Sequence, residues 1–522
     1  MIPSLGAMSV DVRVLNEPLL VFGDFQRTVD PRIGLGMYGP FDLNDRGRGR
    51  AIRLGVIGEG HCIELFRQWV ERCRGRIAPI RRSWQKKEIV AIPMDPTVYP
   101  FFPGVEQAFD VEVVLDDGLQ QTIGPREVEE LRRIEFFEPR VTRLVELVIE
   151  RLRVLAEKPT APDVVAIALS TEIRDMCTVP SRHKRRGKRF PSQVDVARAA
   201  IQKDEEAKQI NLFSASETFG VSTEALERAE AEEDEHGIFH HGLKARAMEA
   251  GIPTQLIWQG TLEGINVQDD ATRAWNLWTG IYYKAGNQPW RSASVTRGTC
   301  FVGVAFYVDR SDRSYRSAMA QAFSDLGEGF VMRGQPFKWS SLQSPHLTTE
   351  HAEDLMRLVL TEYERHLQHR PNRIVVHKWS RFWDEERAGF DKALAGIPQT
   401  DYVALGNRDI RFFRTGEHPP MRGTMITLGR GNALLYTKGF IPFLGTHVGP
   451  RVPRPIEITE HFGGAPLTQI CQEILALTKL DWNTADFGGK EPITTAFSED
   501  VGSILAELPR DGQLRTLYRF YM

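Results

Sequence analysis

The sequence predicts a two-part α/β protein, a parallel-sheet unit followed by a mixed sheet with helices on its faces. Three observations carry this. The chain has 522 residues, too many for one ordinary core, so two large or three smaller domains are expected. Strand-length apolar runs alternate with helical spacings up to about residue 285, the order that builds a parallel sheet. Past about residue 290 the strands lengthen, and two are joined closely enough to read as a hairpin.

Taken in order, residues 34–42 (GLGMYGPFD) are Gly-rich and end in a Pro turn, a lead-in segment rather than a domain. Residues 51–60 (AIRLGVIGEG) followed by HCIELFRQWVERCRG form a strand–turn–helix unit. Residues 135–158 space Phe136, Val141, Leu144, Leu147, Leu152 and Leu155 as one helical stripe. Residues 162–170 (PDVVAIALS) read as a buried strand, and 254–260 (TQLIWQG) as another, after a helix stopped by Gly251 and Pro253. In the second part, 300–308 (CFVGVAFYV) and 373–379 (RIVVHKW) are strands with a helix, 348–369, between them. Residues 424–440 read as a hairpin turning at GRGN (429–432), and helices follow at 467–478 and 498–508. A ribonuclease-H-like fold is the most common mixed-sheet architecture with this order. No internal repeat is visible.

Composition limits the function classes. The hydrophobic share is 42% and the charged share 26%, values of a water-soluble globular chain. No apolar run approaches the roughly 20 residues that span a bilayer, and residues 1–10 lack a signal-peptide pattern. Cys62, Cys73, Cys177, Cys300 and Cys471 form no CxxC pair and are odd in number, which argues against a disulfide framework or a zinc site. A cytoplasmic protein is expected. The net charge of −3 gives no global sign of nucleic-acid binding. Locally, residues 181–190 (SRHKRRGKRF) hold six basic residues, a loop suited either to solvent or to a phosphate backbone. Residues 227–235 (ERAEAEEDE) read as a solvated acidic face.

The constellation with most chemical content is His240, Lys244, Gln255 and Lys284. His240 and Lys244 are four apart and share a helix face. Gln255 opens the next strand, and Lys284 precedes a turn built from Gly286, Asn287, Gln288 and Pro289. A terminal phosphate carries nearly two negative charges and several acceptor oxygens. Holding it takes lysines for charge, an amide for geometry and often a ring for the adjoining base. By spacing alone, His–x–x–x–Lys is usually a solvated helix face.

The surrounding words decide the weighting. HGLKARAMEAGIPTQLIWQG followed by YYKAGNQPWR resembles the MID domain of Argonautes, where such a cluster clamps the 5′ phosphate of a guide strand. The resemblance gives that role to His240, Lys244, Gln255 and Lys284, with His240 against the first guide base and His241 as the competing register. CFVGVAFYVDRS, RIVVHKWSRFWDEE, RGTMITLGRGNALLYTKG, PRPIEIT and LTKLDWNTADFGGKEPITTAF resemble the PIWI domain. The implied architecture is a lead-in segment (1–45), a Rossmann-like MID domain (46–288) and a ribonuclease-H-like PIWI domain (289–522).

Cleaving PIWI domains hold two metal ions on three carboxylates and a fourth Asp or His, clamping the attacking and leaving oxygens. The matching positions here are Ala305, Lys378 or its neighbour, and Asn483. Alanine cannot ligate a metal and an ammonium repels one, so catalysis is not expected. Two carboxylates offer a rearranged site. Asp309 alternates onto the Ala305 face, roughly 13 Å further along at about 3.3 Å per residue, and Asp481 is two residues from Asn483. Glu328 lies where the family has a mobile glutamate. Lys438, Arg454, Lys479 and Asn483, with Thr478 and Trp482 beside them, are candidate contacts to guide or target backbone. By the same resemblance, the Met522 carboxylate reaches the 5′ phosphate and holds a structural Mg²⁺.

The resemblance is to short Argonautes, which lack the N and PAZ domains and act with a partner carrying an APAZ region and an effector. Effectors of that kind are sirtuin-like or TIR NADases, or nucleases. The implied function is guide-directed recognition: a guide, RNA in the family's usual pattern, pairs with invading single-stranded DNA and activates the partner, with oligomerisation of the complex possible on activation. The alternative is a guide-directed endonuclease using Asp309 and Asp481. A two-domain metabolic α/β enzyme is the third reading.

Overall fold

The protein is described here by a computed structural model covering residues 11–85, 88–178, 239–308, 315–325, 327–338, 346–407, 410–416, 418–429, 431–447, 452–508 and 514–522. The basic run 181–190, the acidic run 227–235 and Asp309 lie outside the described residues.

The chain enters through β1 (Asp11–Val14) and α1 (Pro31–Tyr38). Asp30 caps α1 by accepting from the Arg32 and Ile33 N–H groups, and Pro31 fills the first turn, where no N–H is needed. Then come β2 (Ala51–Gly58), α2 (Gly60–Cys73), the hairpin β3 (Ile80–Gln85) with β4 (Glu88–Pro93), β5 (Glu112–Val114) and β6 (Gln120–Thr122). The first unit is completed by α3 (Phe137–Ala156), β7 (Val164–Leu169), α4 (Phe239–Ala247), β8 (Thr254–Trp258) and α5 (Asp270–Lys284). Its sheet runs β8-β7-β2-β5 with β6 also beside β2, and every pairing is parallel. All six residues of β7 are buried, as expected for a parallel strand covered on both faces. Val165, Ile167 and Leu169 face Leu144, Leu147 and Leu152 of α3, while Val164, Ala166 and Ala168 share the opposite core with Phe66 of α2 and Trp275 of α5.

The second unit is built on β9 (Thr299–Val308), β10 (Tyr315–Ser324), β11 (Gly329–Lys338), α6 (Thr349–Leu367), β12 (Arg373–Lys378), α7 (Asp384–Ala393) and β13 (Gln399–Asn407). After these come β14 (Thr424–Gly429), β15 (Asn432–Leu435), β16 (Ile456–Gly463), α8 (Leu467–Leu477), α9 (Ile493–Ala496) and α10 (Ser498–Glu507). Among the described residues the sheet order is β1-β14-β15-β16-β13-β12-β9-β10-β11. β9, β12 and β13 are mutually parallel and the remaining pairs antiparallel. The lead-in segment thus gives its first strand to the second sheet, as the antiparallel neighbour of β14. Among the described residues no helix is long and apolar enough to cross a membrane.

A buried charge network joins three elements of this sheet's core. Arg373, at the start of β12, donates from Nε to Asp401 on β13 at 2.9 Å and from both terminal nitrogens to Glu473 on α8. His461 closes on the other Asp401 oxygen at 3.0 Å. Arg373, Asp401 and Glu473 are all buried. Replacing Arg373 by Met therefore leaves two carboxylates without their cation, and the expected loss is about 3–5 kcal/mol. It is read as a fall in the urea midpoint without change of slope.

Candidate functional site

Two sheets and the end of the chain converge on a cavity of about 340 Å³, lined by His240, Lys244, Gln255, Lys284, Asn483, Asp500, Tyr521 and Met522 among others. Local structure sets each side chain. Gly251 takes φ +70° and turns the chain after α4, a conformation open to glycine at little cost. Pro253 leads into β8, placing Gln255 next to the helix it follows. Lys284 is the last residue of α5. The Lys244 ammonium donates to the Thr254 carbonyl at 2.6 Å and to the Met522 main-chain oxygen, and the Lys284 ammonium donates to Gln255 Oε1. The four residues singled out from the sequence are thus brought together. His240 is the histidine that lines the cavity, whereas His241 turns to Asp500 at 3.3 Å.

The electrostatics are unusual. Both lysines are 2% exposed. Burial, then repulsion from Lys284, holds the Lys244 ammonium well below its ordinary value. Burial pushes Lys284 down to about 7, against the pull of Asp481. Burial and then Lys244 push the His240 imidazole down to about 3, so at neutral pH it is an uncharged ring. Asp481 is raised to about 6 by burial. A site with two desolvated ammoniums, one neutral ring and one amide is suited to a dianionic oxygen cluster.

Asn483 is corrected by this geometry. The sequence reading put it both with the lost catalytic positions and with the backbone contacts; it lines the cavity, held by an Asp481 carboxylate that accepts its backbone N–H at 2.9 Å. The segment that packs against the middle of β9 is α9. A Cβ on Gly303 would stand 1.8 Å from the Thr494 carbonyl, and the Thr494 hydroxyl lies 2.8 Å from His377 Nδ1.

Lys378 is corrected too. It pairs in register with Val304, so it shares a face with Val302, Val304 and Phe306, because alternate residues of a strand point to opposite sides. There it is buried in an ion pair with Glu386 on α7, at 2.6 and 2.7 Å. Ala305 packs into the opposite core, and the residue at the end of β12 that packs into that same core is Trp379. Glu328 sits at the far end of β9, where Cys300 pairs with Ser324. That is about five residues, roughly 16 Å, from Ala305. Among the described residues no three His, Cys, Asp or Glu gather where they could hold a metal.

The backbone-contact candidates separate. Lys479 is internal. Its ammonium pairs with Glu17 at 2.7 Å, donates to the Val29 carbonyl at 2.6 Å and lies over the Phe487 ring, so it is corrected to a structural role. Thr478 and Trp482 are buried as well. Lys438 donates to the Gly488 carbonyl and lines a second cavity. Arg454 is exposed ahead of β16. Sequence reasoning missed Asp500 and Tyr521, and it singled out Asp481 only as a carboxylate of a rearranged metal site. Nothing in the local words of Asp500 and Tyr521 marks them, since they reach the cavity only through tertiary packing.

No family model matches the chain. A curated Argonaute of Aquifex aeolicus (strain VF5) is 23% identical over 266 residues, covering 50% of this chain and 35% of that protein. The fold superposes on solved structures over nearly its whole length. A Clostridium butyricum Argonaute bound to a guide DNA and a 19-mer target DNA gives a TM-score of 0.56 at 14% identity, covering 97% of this chain and 54% of that one. An A. aeolicus Argonaute with externally bound siRNA gives 0.54 at 14%, covering 97% and 56%. Drosophila Piwi gives 0.54 at 12%, covering 98% and 56%. In sequence over half its length, and in fold over nearly all of it, the chain is similar to Argonautes. It spans about half the length of those structures and about a third of the curated relative. The α/β architecture expected from the sequence is the architecture these Argonaute structures share.

The cavity's charge state makes a prediction with a definite sign. At pH 8 Lys284, at about 7, is mostly neutral in the free chain, and a bound dianion raises its affinity for protons. Binding of a 5′-phosphorylated oligonucleotide should therefore take up protons. Calorimetry in buffers of different ionisation enthalpy should show net uptake, absent for the 5′-hydroxyl oligonucleotide and reduced by Lys284→Met.

Proposed function

We propose that this chain is the recognition subunit of a two-part defence system. It holds a 5′-phosphorylated guide, an RNA, and pairs it with invading single-stranded DNA. Pairing then activates a separate APAZ-containing effector, a sirtuin-like or TIR NADase or a nuclease, with oligomerisation of the complex as a step in activation. The single observation that carries the guide role is the cavity in which Lys244, Lys284, Gln255 and neutral His240 converge. The lysines supply charge, Gln255 fixes geometry, and the imidazole offers a flat uncharged surface to the first base. Division at residues 45 and 288 assigns the 5′-end cavity to the MID-like part, closed by residues of the PIWI-like part.

Lack of cutting by this chain is part of the same reading. It is supported by Ala305, His377 and Trp379 on the sheet face where a metal pair would be held, with Lys378 turned away into its pair with Glu386. The endonuclease alternative needs Asp481 as a ligand, yet Asp481 caps the Asn483 turn within reach of Lys284. A structural Mg²⁺ ion belongs to the same reading. Hard cations take oxygen ligands, and the Met522 carboxylate would hold the ion there together with phosphate oxygens. When bound it would screen one anion from the other. The chain's own lysines bind and orient the phosphate in either case.

The test uses the full chain. Anisotropy with a labelled 5′-phosphorylated RNA should show tight binding that Lys244→Ala with Lys284→Ala weakens by at least about tenfold, the loss of one charge-assisted contact or more. The guide-loaded chain should leave labelled complementary DNA intact in Mg²⁺ or Mn²⁺. With its co-expressed partner it should turn on the partner's activity only when guide and target match. A guide-positioned cut by the chain alone would overturn the division of labour.

A further inference from the structure

A second cavity, of about 370 Å³, opens at the other end of α5, beside Gln268, Asp269 and Thr272. α5 has 15 residues, so the two cavities lie roughly 20 Å apart at about 1.5 Å per residue. Four cationic side chains line the second one: Arg32 of α1, Arg81 of β3, and Arg422 and Lys438 of the second unit. The acids on its wall are Asp269, which caps α5 by accepting the Thr272 N–H, and exposed Asp486.

The cations are not equivalent. Arg422 is fully engaged, by Glu17 at 3.0 Å, Thr478 at 2.8 Å and the Thr437 carbonyl. Arg32 is 6% exposed; it donates to the Val98 carbonyl at 3.1 Å and stands 3.5 Å from Asp30, yet its buried Nε has no hydrogen-bond partner. A guanidinium does not neutralise itself by losing its proton, so an unfilled buried N–H is a standing cost. Burial, then Arg422, holds the Lys438 ammonium below its ordinary value. Arg81 reaches the cavity from the exposed side of its hairpin. Apolar and aromatic wall comes from Met94, Val98, Tyr99 and Ile441, and Asn266, Gln268 and Thr272 add polar groups.

We propose that this cavity is a nucleotide site, taking a phosphate against Arg32, Arg81 and Lys438 and a planar base against Tyr99 and the Met94–Val98 wall. Arginine forks match phosphate oxygens, and an aromatic ring accepts any base face. The site goes beyond the 5′-end reading and does not depend on it. Two sources share this chemistry: a free mononucleotide, or a nucleotide within a strand that passes the cavity.

Calorimetric titration of the full chain with ADP tests it. A saturable component that persists in Lys284→Met is expected, weakened at least about tenfold by exposed Arg81→Glu and by Lys438→Met. Repeating the titration on chain preloaded with 5′-phosphorylated oligonucleotides separates the sources. A four-nucleotide strand should leave ADP binding intact. Blocking by a 20-nucleotide strand assigns the site to the strand, and binding alongside it assigns the site to a free nucleotide. No ADP binding, binding indifferent to both substitutions, or binding lost in Lys284→Met or with the four-nucleotide strand overturns the site.

Discussion

Two lysine ammoniums buried together, with too little negative charge beside them, are the constraint around which the rest of this molecule is arranged. Lys244 and Lys284 come from different helices and meet at the seam between the two sheets. In water each would keep its charge freely; here burial drives both toward neutrality. The fold tolerates this because backbone and amide oxygens are aimed at them: the Thr254 carbonyl, Gln255 Oε1 and the Met522 main-chain oxygen. These are mainly dipoles rather than full counter-charges, and the pull of Asp481 on Lys284 does not undo the effect of burial. The cavity is electrostatically unfinished, the condition under which a buried site attracts an oxyanion.

The second sheet shows the opposite strategy. Arg373 with Asp401 and Glu473, and Lys378 with Glu386, are buried cations fully matched by carboxylates. Matched pairs of this kind are costly to break and have little to offer a ligand. The contrast separates structural from functional charge within one chain better than burial does, since all these groups are equally hidden.

How much of this was legible in the sequence follows from what each signal depends on. The strand–helix alternation, the long stripe of α3 and the hairpin at 424–440 rest on local periodicity, and they are found where they were expected. The β10–β11 pair was missed. YRSAMAQAFS and GFVMRGQPFK mix small, polar and apolar residues without a clean alternation. The four cavity residues were legible only through the longer words around them. The choice between Lys378 and its neighbour, and the place of Asn483, could not be fixed for a physical reason: a one-residue uncertainty on a strand moves a side chain through the sheet, and a turn after a helix has no periodicity to fix where it points. Lys479, basic and near the right words, proved to be internal because its partner Glu17 lies more than four hundred residues away in sequence.

The crossing between the two units is tied by tryptophans. The Trp290 indole donates to the Lys479 carbonyl at 2.8 Å, the Trp482 indole returns a bond to the Trp290 carbonyl at 3.2 Å, and Tyr283 stacks on Trp482 at 4.7 Å. Trp290 and Trp482 are fully buried. Hinges need residues that can absorb large backbone rotations, and this joint has interlocked rings in their place. An interlock of this kind opposes a clamshell stroke at the seam. A change at either cavity would have to be felt elsewhere through the surface the molecule presents, by what becomes ordered or newly covered there, rather than by the two halves swinging apart.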